Sequence, residues 1–201
     1  EKYLMDPDGL NEKIVAGIDE AGRGSWAGPV VSAAVILGAF TELSSLKDSK
    51  KLTRRARERL FTKLKKEAFL GIGFASVKEI ENLNILQATF LSMERAISSL
   101  SLNPDIILID GHMAPKALQD RATPVIKGDQ FVPVISAASI VAKVVRDNHM
   151  SLLDKKYPGY CWNKNAGYGV KAHFLALNSL GLTPSHRRSF KPIHNMLCEE
   201  N

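Results

Sequence analysis

The amino-acid sequence predicts an α/β fold in which a mixed β-sheet is covered by helices. Two observations support this prediction: candidate strands first follow one another closely, and later candidate strands alternate with helices. The length of 201 residues suits a single domain. We expect that domain to end in a C-terminal helical extension over about residues 171–201.

Short runs of apolar and β-branched residues, bounded by turn residues, predict the strands. A turn from Glu20 to Pro29 contains three glycines and separates the first two runs, so these strands are expected to pair antiparallel. The predicted strands span residues 14–19, 30–37, 70–75, 105–110 and 123–126.

Apolar residues at helical spacing, together with capping residues, predict the helices. Ser76 with Glu79, and Asn84 with Gln87, have the spacing of capping boxes that open two successive helices. The second of these should run to about Leu100. The other predicted helices span residues 53–69, 136–155 and 171–180.

The composition is globular, with an excess of basic residues. Lys and Arg number 27 against 21 Asp and Glu, which gives a net charge of +6 and modestly favours binding to a polyanion. The two cysteines, Cys161 and Cys198, have no metal-ligand spacing and do not indicate a disulfide framework. With no signal segment and no apolar run of membrane-spanning length, the sequence predicts a cytoplasmic protein without membrane contact.

Four acidic residues are candidates for the chemistry. Asp19 and Asp110 each end a predicted strand, and either could simply begin a turn. Glu20 could face solvent, and Asp147 follows Lys143 by four residues, the spacing of a surface ion pair on a helix.

Taken together, the four acids indicate a metal site. Neighbouring strand ends meet at one edge of a sheet, and a carboxylate from a helix crossing that edge would complete a cluster. Carboxylates held so close repel one another unless they are protonated or bound to cations. Oxygen ligands without a nearby Cys or His pair favour Mg²⁺ or Mn²⁺, and two such ions can cleave a phosphodiester.

Ordered motifs along the chain resemble those of type 2 ribonucleases H, the ribonuclease HII family. The matches occur in the family's order from about residue 14 to 192, which is nearly the whole chain. The matching segments are GIDEAGRG at 17–24, DSKKL at 48–52, IDG at 109–111, AASIVAKVVRD at 137–147, YPGY at 157–160, GYG at 167–169 and HRRSF at 186–190.

The resemblance implies a ribonuclease H-like fold with a mixed five-stranded sheet flanked by helices. It implies an endonuclease that cleaves the RNA strand of RNA–DNA hybrids and cuts 5′ of single ribonucleotides in duplex DNA, for repair and primer removal. Two Mg²⁺ or Mn²⁺ ions would act during catalysis and leave 3′-hydroxyl and 5′-phosphate ends. The implied catalytic and metal-binding residues are Asp19, Glu20, Asp110 and Asp147.

The same resemblance assigns substrate contacts. The main chain of Gly22, Arg23 and Gly24 would reach the 2′-hydroxyl, because glycine lets a backbone approach a nucleotide closely. Tyr168 would stack on the sugar beside the ribonucleotide, although a loop aromatic can equally fold onto the core. Phosphate contacts are expected from basic side chains, each of which could instead be an ordinary surface charge. They are Lys50, Lys51, Lys143, Arg187 and Arg188.

Two further positions carry expectations. His173 is the histidine expected to pack into the interior. Val170 departs from the family, which usually has Thr or Ser after the GYG-type turn, so a side-chain cap for the helix that begins near Lys171 is in doubt.

Two alternative functions remain open at this stage. Ribonuclease HIII is disfavoured because that family carries an extra N-terminal domain, absent here, and a different residue at the position of Arg23. A non-catalytic module that binds hybrids is disfavoured by carboxylates at all four positions. We expect a monomer, with no protein partner indicated.

Overall fold

The computed structural model describes residues 13–38, 46 and 52–199. Lys50 and Lys51, and with them most of the DSKKL segment, lie outside the described residues. The strands are β1 (Val15–Ala21), β2 (Val30–Ile36), β3 (Phe69–Ala75), β4 (Ile106–Asp110) and β5 (Ala122–Val125). The helices are α1 (Arg54–Glu67), α2 (Val77–Leu83), α3 (Ile85–Ser98), α4 (Pro133–Lys156), α5 (Trp162–Asn165), α6 (Lys171–Leu180) and α7 (Lys191–Glu199).

The five strands form one mixed sheet in the order β3-β2-β1-β4-β5. The first three strands pair antiparallel, whereas β4 pairs parallel with both β1 and β5. The predicted fold class and the antiparallel pairing of the first two strands are therefore confirmed. The parallel register places Ile18 beside Ile109, so the residue that follows each of them, Asp19 and Asp110, lies at the same edge of the sheet.

The sheet separates two apolar layers. On one face α4 packs against β1 and β2, and α1 packs against α4 and β3; Ala33, Val35 and Ile135 are fully buried in this layer. On the other face α3 covers the same strands, and Ile18 and Ile109 lie in that layer. Because both faces are covered, β2 is buried along its whole length and reads as a continuous apolar run rather than an alternating one.

A third apolar cluster lies beyond the sheet, where α5, α6 and α7 pack around the buried Trp162 and Leu177. Met150 near the end of α4 contributes to it, so this long helix is shared between the sheet and the C-terminal helices. None of the helices in the described ranges combines the length and apolar character needed to cross a membrane.

The structure corrects two predicted boundaries near the pocket-forming elements. β1 continues to Ala21, so Glu20 belongs to the strand rather than to the turn. α4 begins at Pro133 instead of Ser136, because proline is tolerated in the first turn of a helix, where its missing N–H is not needed.

The two capping boxes differ. The box at Ser76 and Glu79 is complete, with bonds in both directions. At Asn84 the side chain accepts hydrogen bonds from the amides of Leu86 and Gln87, but its own amide bonds to the carbonyl of Ile80. The reciprocal half of the predicted second box is therefore replaced by the end of α2.

Candidate active site

A pocket of roughly 460 Å³ opens at the edge of the sheet where β1 and β4 end. We call it the acidic pocket. Five parts of the chain contribute to it: β1 with the turn that follows, α1, β4, α4 and the loop before α6. Its lining residues are Asp19, Glu20, Ala21, Gly22, Arg23, Gly24, Arg57, Asp110, Ser139, Ile140, Lys143 and Tyr168.

Asp19 and Asp110 reach the pocket because their strands run parallel and end side by side. Asp19 is 6% exposed, and its Oδ1 accepts the amide of Glu20 at 2.7 Å. Oδ1 of Asp110 accepts the amide of Asp129 at 3.3 Å, which ties the end of β4 to the turn that precedes α4. Both carboxylates are therefore held by main-chain donors, which fixes their positions before any ligand binds.

The electrostatics of the pocket disfavour the charged form of its acids. Burial raises the pKa of Asp19 well above its ordinary value, and the nearby charges of Glu20 and Asp110 raise it further. Hydrogen bonds from the Ser139 side chain and the Glu20 amide oppose these effects only in part. A cation at this position would remove the repulsion, so the carboxylates are suited to hold one.

Glu20 also lines the pocket, although it is adjacent to Asp19 on a strand whose side chains alternate between faces. Both can line it because β1 ends one residue later, at Ala21. Burial raises the pKa of Glu20, and the charge of Arg23 opposes that rise. The opposing contact is an ion pair in which Nη1 of Arg23 lies 3.1 Å from Oε1 of Glu20.

Asp147 is held apart from the other three acids. It lies on α4, and its Oδ1 accepts a hydrogen bond of 2.6 Å from Nζ of Lys143, four residues earlier. Lys143 lines the pocket and Asp147 does not. Over residues 13–38, 46 and 52–199, no three His, Cys, Asp or Glu side chains are already arranged around a common point that could hold a metal ion.

The turn after β1 is held from below by two buried arginines. Arg146 and Arg187 are both 0% exposed, and each donates three hydrogen bonds to main-chain carbonyl oxygens at 2.7 to 3.1 Å. Nη1 and Nη2 of Arg187 bond to the carbonyls of Arg23 and Gly22. Gly22 has a φ of +96°, and a Cβ there would collide with the guanidinium of Arg146. Only glycine therefore allows the main chain at position 22 to lie this close to Arg146.

The sequence-based assignment of Arg187 to a phosphate contact needs correction. Its guanidinium is fully buried and its donors are directed at the turn carbonyls, so it supports the turn instead of facing a ligand. Burial lowers its pKa to about 9, and the charge of Arg146 adds to this effect. Arg188 beside it is exposed.

Tyr168 forms one wall of the pocket and is 38% exposed. Two cations lie over its ring, with Nζ of Lys143 5.9 Å and the guanidinium carbon of Arg146 5.7 Å from the centroid. Gly24 is next to it, since a Cβ at Gly24 would lie in van der Waals contact, 3.9 Å from Cε1 of Tyr168. The ring therefore stands beside the turn that carries Gly22 and Arg23.

Behind Tyr168 lies a set of buried rings that we call the histidine cluster: Tyr160, Trp162, His173 and His186. Nδ1 of His173 contacts the carbonyl oxygen of Tyr168 at 3.0 Å. Its Nε2 receives the indole N–H of Trp162 at 3.1 Å and lies 3.1 Å from Nε2 of His186. Nδ1 of His186 accepts the amide of Thr183 at 2.9 Å.

These contacts fit one proton on each imidazole. His173 donates through Nδ1 and accepts through Nε2, whereas His186 accepts through Nδ1 and donates through Nε2. Burial lowers the pKa of both rings, to about 4 for His186, where the proximity of His173 adds to the effect. The prediction that His173 packs into the interior is confirmed, since it is 0% exposed.

Sequence reasoning missed four pocket residues, the polar Arg57 and Ser139 and the apolar Ala21 and Ile140. Ser139 lies inside the segment AASIVAKVVRD, so its position next to the acids followed from the motif. Arg57 lies outside the matching segments, and its only signal is its helical spacing from the apolar Leu60 and Phe61, which places it on the inward face of α1. Val170 precedes α6 without a side-chain capping bond, as its apolar side chain predicts.

Comparison with known proteins gives a consistent result. The family model described as "Ribonuclease HII" matches residues 16–193. A ribonuclease HII from Roseobacter denitrificans is 50% identical over 191 residues, covering 95% of this chain and 96% of that protein. One from Cereibacter sphaeroides is 53% identical over 186 residues, covering 92% and 88%. The crystal structure of ribonuclease H2 from Pyrococcus horikoshii superposes with a TM-score of 0.76 at 28% identity, covering 92% and 97%.

Proposed function

Because the chain belongs to the ribonuclease HII family, and is thus an endoribonuclease of the ribonuclease H type, we propose that it cleaves the RNA strand of RNA–DNA hybrids and cuts 5′ of single ribonucleotides in duplex DNA. One observation carries the proposal: three carboxylates, from Asp19, Glu20 and Asp110, line the same pocket as the turn formed by Gly22, Arg23 and Gly24. The pocket thus combines carboxylates that can bind metal ions for phosphodiester cleavage with a main chain that can hydrogen-bond the sugar of the substrate.

The donor set fits hard divalent cations, for which carboxylate oxygens are the preferred ligands. Burial, together with the nearby charges of Glu20 and Asp110, raises the pKa of Asp19, and a bound cation would offset both effects. We assign Asp19, Glu20 and Asp110 to hold two Mg²⁺ or Mn²⁺ ions. When bound, such ions activate a water and stabilise the leaving oxygen, which produces 3′-hydroxyl and 5′-phosphate ends.

Asp147 would join this ligand set by leaving its ion pair. Its carboxylate is 19% exposed and bonds to Lys143, whose ammonium group lines the pocket. Exchange of Lys143 for a metal ion would free the ammonium to face a substrate phosphate. A lysine is suited to this exchange, because its ammonium group is a compact charge on a flexible side chain, unlike the planar guanidinium of arginine.

Recognition of the ribonucleotide is assigned to the turn after β1. Arg187 donates hydrogen bonds to the carbonyls of Gly22 and Arg23, which restrains the main chain of this segment at the pocket wall. A preorganised main chain can hydrogen-bond a 2′-hydroxyl, the group that distinguishes RNA from DNA. We assign the stacking contact with the neighbouring sugar to Tyr168, whose exposed ring lies beside Gly24 in the pocket wall.

The cellular setting that we propose is the cytoplasm, where the enzyme acts as a monomer in ribonucleotide repair and primer removal. Cys161 and Cys198 are both free and exposed, which suits a reducing compartment. The net charge of +6 suits a polyanionic substrate.

The test is cleavage of three labelled duplexes with Mg²⁺ or Mn²⁺: DNA with one ribonucleotide, a long RNA–DNA hybrid and DNA alone. We expect cutting on the 5′ side of the single ribonucleotide, cutting within the hybrid RNA and no cutting of DNA. Cleavage of the hybrid alone would refute the recognition role of the turn and Tyr168. Binding of hybrids without any cleavage would refute the nuclease assignment and favour a binding module.

A further inference from the structure

Three cations line the acidic pocket within the described part of the chain: Arg23, Arg57 and Lys143. Two of them are already paired with carboxylates, Arg23 with Glu20 at 3.1 Å and Lys143 with Asp147 at 2.6 Å. A paired cation must release its carboxylate before it can bind an anion. Arg23 and Lys143 are therefore not preorganised for a phosphate.

Arg57 differs from both. Its Nη1 donates a hydrogen bond of 2.6 Å to the carbonyl oxygen of Leu52, and no carboxylate among the described residues is paired with it. A carbonyl accepts a hydrogen bond without neutralising the positive charge. The bond to Leu52 thus holds the guanidinium at the pocket wall and leaves its charge available.

The geometry of the guanidinium matches an anion with two oxygens. The bond to Leu52 uses one N–H on Nη1. The edge formed by Nε and Nη2 makes no hydrogen bond within the described residues, and this edge can take two phosphate oxygens side by side. Arg57 is also in the first turns of α1, where the backbone is fixed by the bond from its amide to the carbonyl of Thr53.

We propose that Arg57 binds a backbone phosphate of the duplex in the acidic pocket. The proposal rests on the proposed function, because it takes the occupant of the pocket to be a nucleic acid. Arg57, on α1, would contact the phosphate and not the 2′-hydroxyl. Arg57 therefore contributes equally to binding of duplexes with and without a ribonucleotide.

The test is the salt dependence of duplex binding, measured by fluorescence anisotropy in an Asp110→Asn background so that the duplex is not cut. Each phosphate contact contributes about 0.9 to the slope of log affinity against log salt concentration. We expect Arg57→Ala to lower that slope by about this amount and to weaken binding about 3- to 10-fold at low salt. The loss should be the same for DNA with one ribonucleotide and for DNA alone.

Three variants separate charge from structure. Arg57→Gln keeps an N–H donor for the carbonyl of Leu52 but removes the charge, and should behave like the alanine variant. Arg57→Lys keeps the charge and should retain the slope. Arg55→Ala, an exposed arginine on the same helix that does not line the pocket, is the matched control and should leave the slope unchanged.

An unchanged slope in both Arg57→Ala and Arg57→Gln would overturn the proposal, as would an equal loss in Arg55→Ala. These outcomes are independent of cleavage. A parent chain that cuts ribonucleotide-containing duplexes while Arg57→Ala keeps the full slope would refute the role of Arg57 alone. A parent chain that binds duplexes with the Arg57-dependent slope but cuts none would refute the nuclease proposal alone.

Discussion

The acidic pocket and the histidine cluster lie on either side of Tyr168, and both bury groups that can carry like charges. In the pocket, burial raises the pKa of Asp19, and the nearby charges of Glu20 and Asp110 raise it further. In the cluster, His173 and His186 avoid repulsion by staying neutral and sharing hydrogen bonds. Burial therefore has different consequences in the two regions. In the pocket it disfavours the charged form of acids that a cation could stabilise, and in the cluster it keeps two hydrogen-bonded imidazoles neutral.

The hydrogen bonds of the two regions distinguish a ligand-binding site from a structural network. The cluster satisfies its own ring nitrogens from Trp162, Tyr168 and Thr183, so nothing is left for a ligand to do. The pocket holds Asp19 and Asp110 in place with main-chain amides, and its acids lie close enough that the charges of Glu20 and Asp110 raise the pKa of the buried Asp19. A cluster of acids with a strongly raised pKa in an open pocket is typical of a site that binds a ligand.

The largest effect that we expect comes from Asp110→Asn in the pocket. It removes a metal-binding oxygen, so cleavage of a ribonucleotide-containing duplex should fall by at least about 100-fold, more than the loss usually seen for residues around metal ligands. In metal-free buffer the same variant should melt no lower than the parent chain, because it also removes like-charge repulsion from Asp19. A clear drop in the metal-free melting temperature would contradict the clustered-acid description.

A second change breaks the cluster. His173→Leu removes the acceptor of the Trp162 indole N–H and the partner of His186, leaving buried donors without a bond. At about 1 to 3 kcal/mol for each unsatisfied group, we expect a loss of about 3 kcal/mol in the free energy of unfolding by urea. His112→Leu, at an exposed position, is the control and should change stability little. Equal losses in the two variants would show that the network contributes nothing specific.

The pH dependence of stability tests the neutral state of the cluster. The pKa of His186 falls from 6.5 to about 4 on folding, so between these values the unfolded chain binds the extra proton. Its contribution is therefore complete above about pH 6.5 and is lost as the pH falls toward 4, by about 3 kcal/mol in total.

This prediction is measured by urea unfolding at a series of pH values. A His186→Gln variant lacks the titrating ring and should show a flatter curve between pH 6.5 and 4 than the parent chain. Parallel curves for the two proteins would mean that His186 is not held neutral by folding.

The smallest effect concerns α6, the helix that carries His173. Val170 stands at its N-cap without a side-chain bond and is 44% exposed, so little burial depends on it. Val170→Thr should add a capping hydrogen bond and raise the free energy of unfolding by about 0.5 to 1 kcal/mol. Val170→Ala cannot cap and is the matched control. No gain of the threonine variant over the alanine variant would show that the α6 start does not limit stability.

Much of the site followed from the sequence, for physical reasons that differ between residues. Asp19 and Asp110 end apolar runs, and neighbouring strand ends meet at one sheet edge, so their proximity was predictable. Glu20 required the exact end of β1, which depends on pairing with β2 and not on local pattern. Arg187 was expected to contact phosphate as a basic residue of the HRRSF segment, yet its guanidinium is buried and bonds to the carbonyls of the turn.

Arg57 shows a different limit. Its spacing of three, four and seven residues before Leu60, Phe61 and Leu64 puts it on the inward face of α1, and it is half-buried where the other arginines of that helix are exposed. The spacing does not say that this face borders a pocket. The packing of α1 beside α4 selects the one that lines the pocket. The ion pair between Lys143 and Asp147, in contrast, was readable from their spacing of four residues on a helix.

The most direct test of the central claim, that the carboxylates of the acidic pocket hold divalent ions, is calorimetric titration of the chain with Mn²⁺. We expect binding to the parent chain, and affinity at least about 10-fold weaker in Asp19→Asn and in Asp110→Asn, since each lacks a charged ligand oxygen. Glu58→Gln, on the exposed face of α1, is the control and should bind as the parent does. Parent-like Mn²⁺ affinity in both pocket variants would contradict the account.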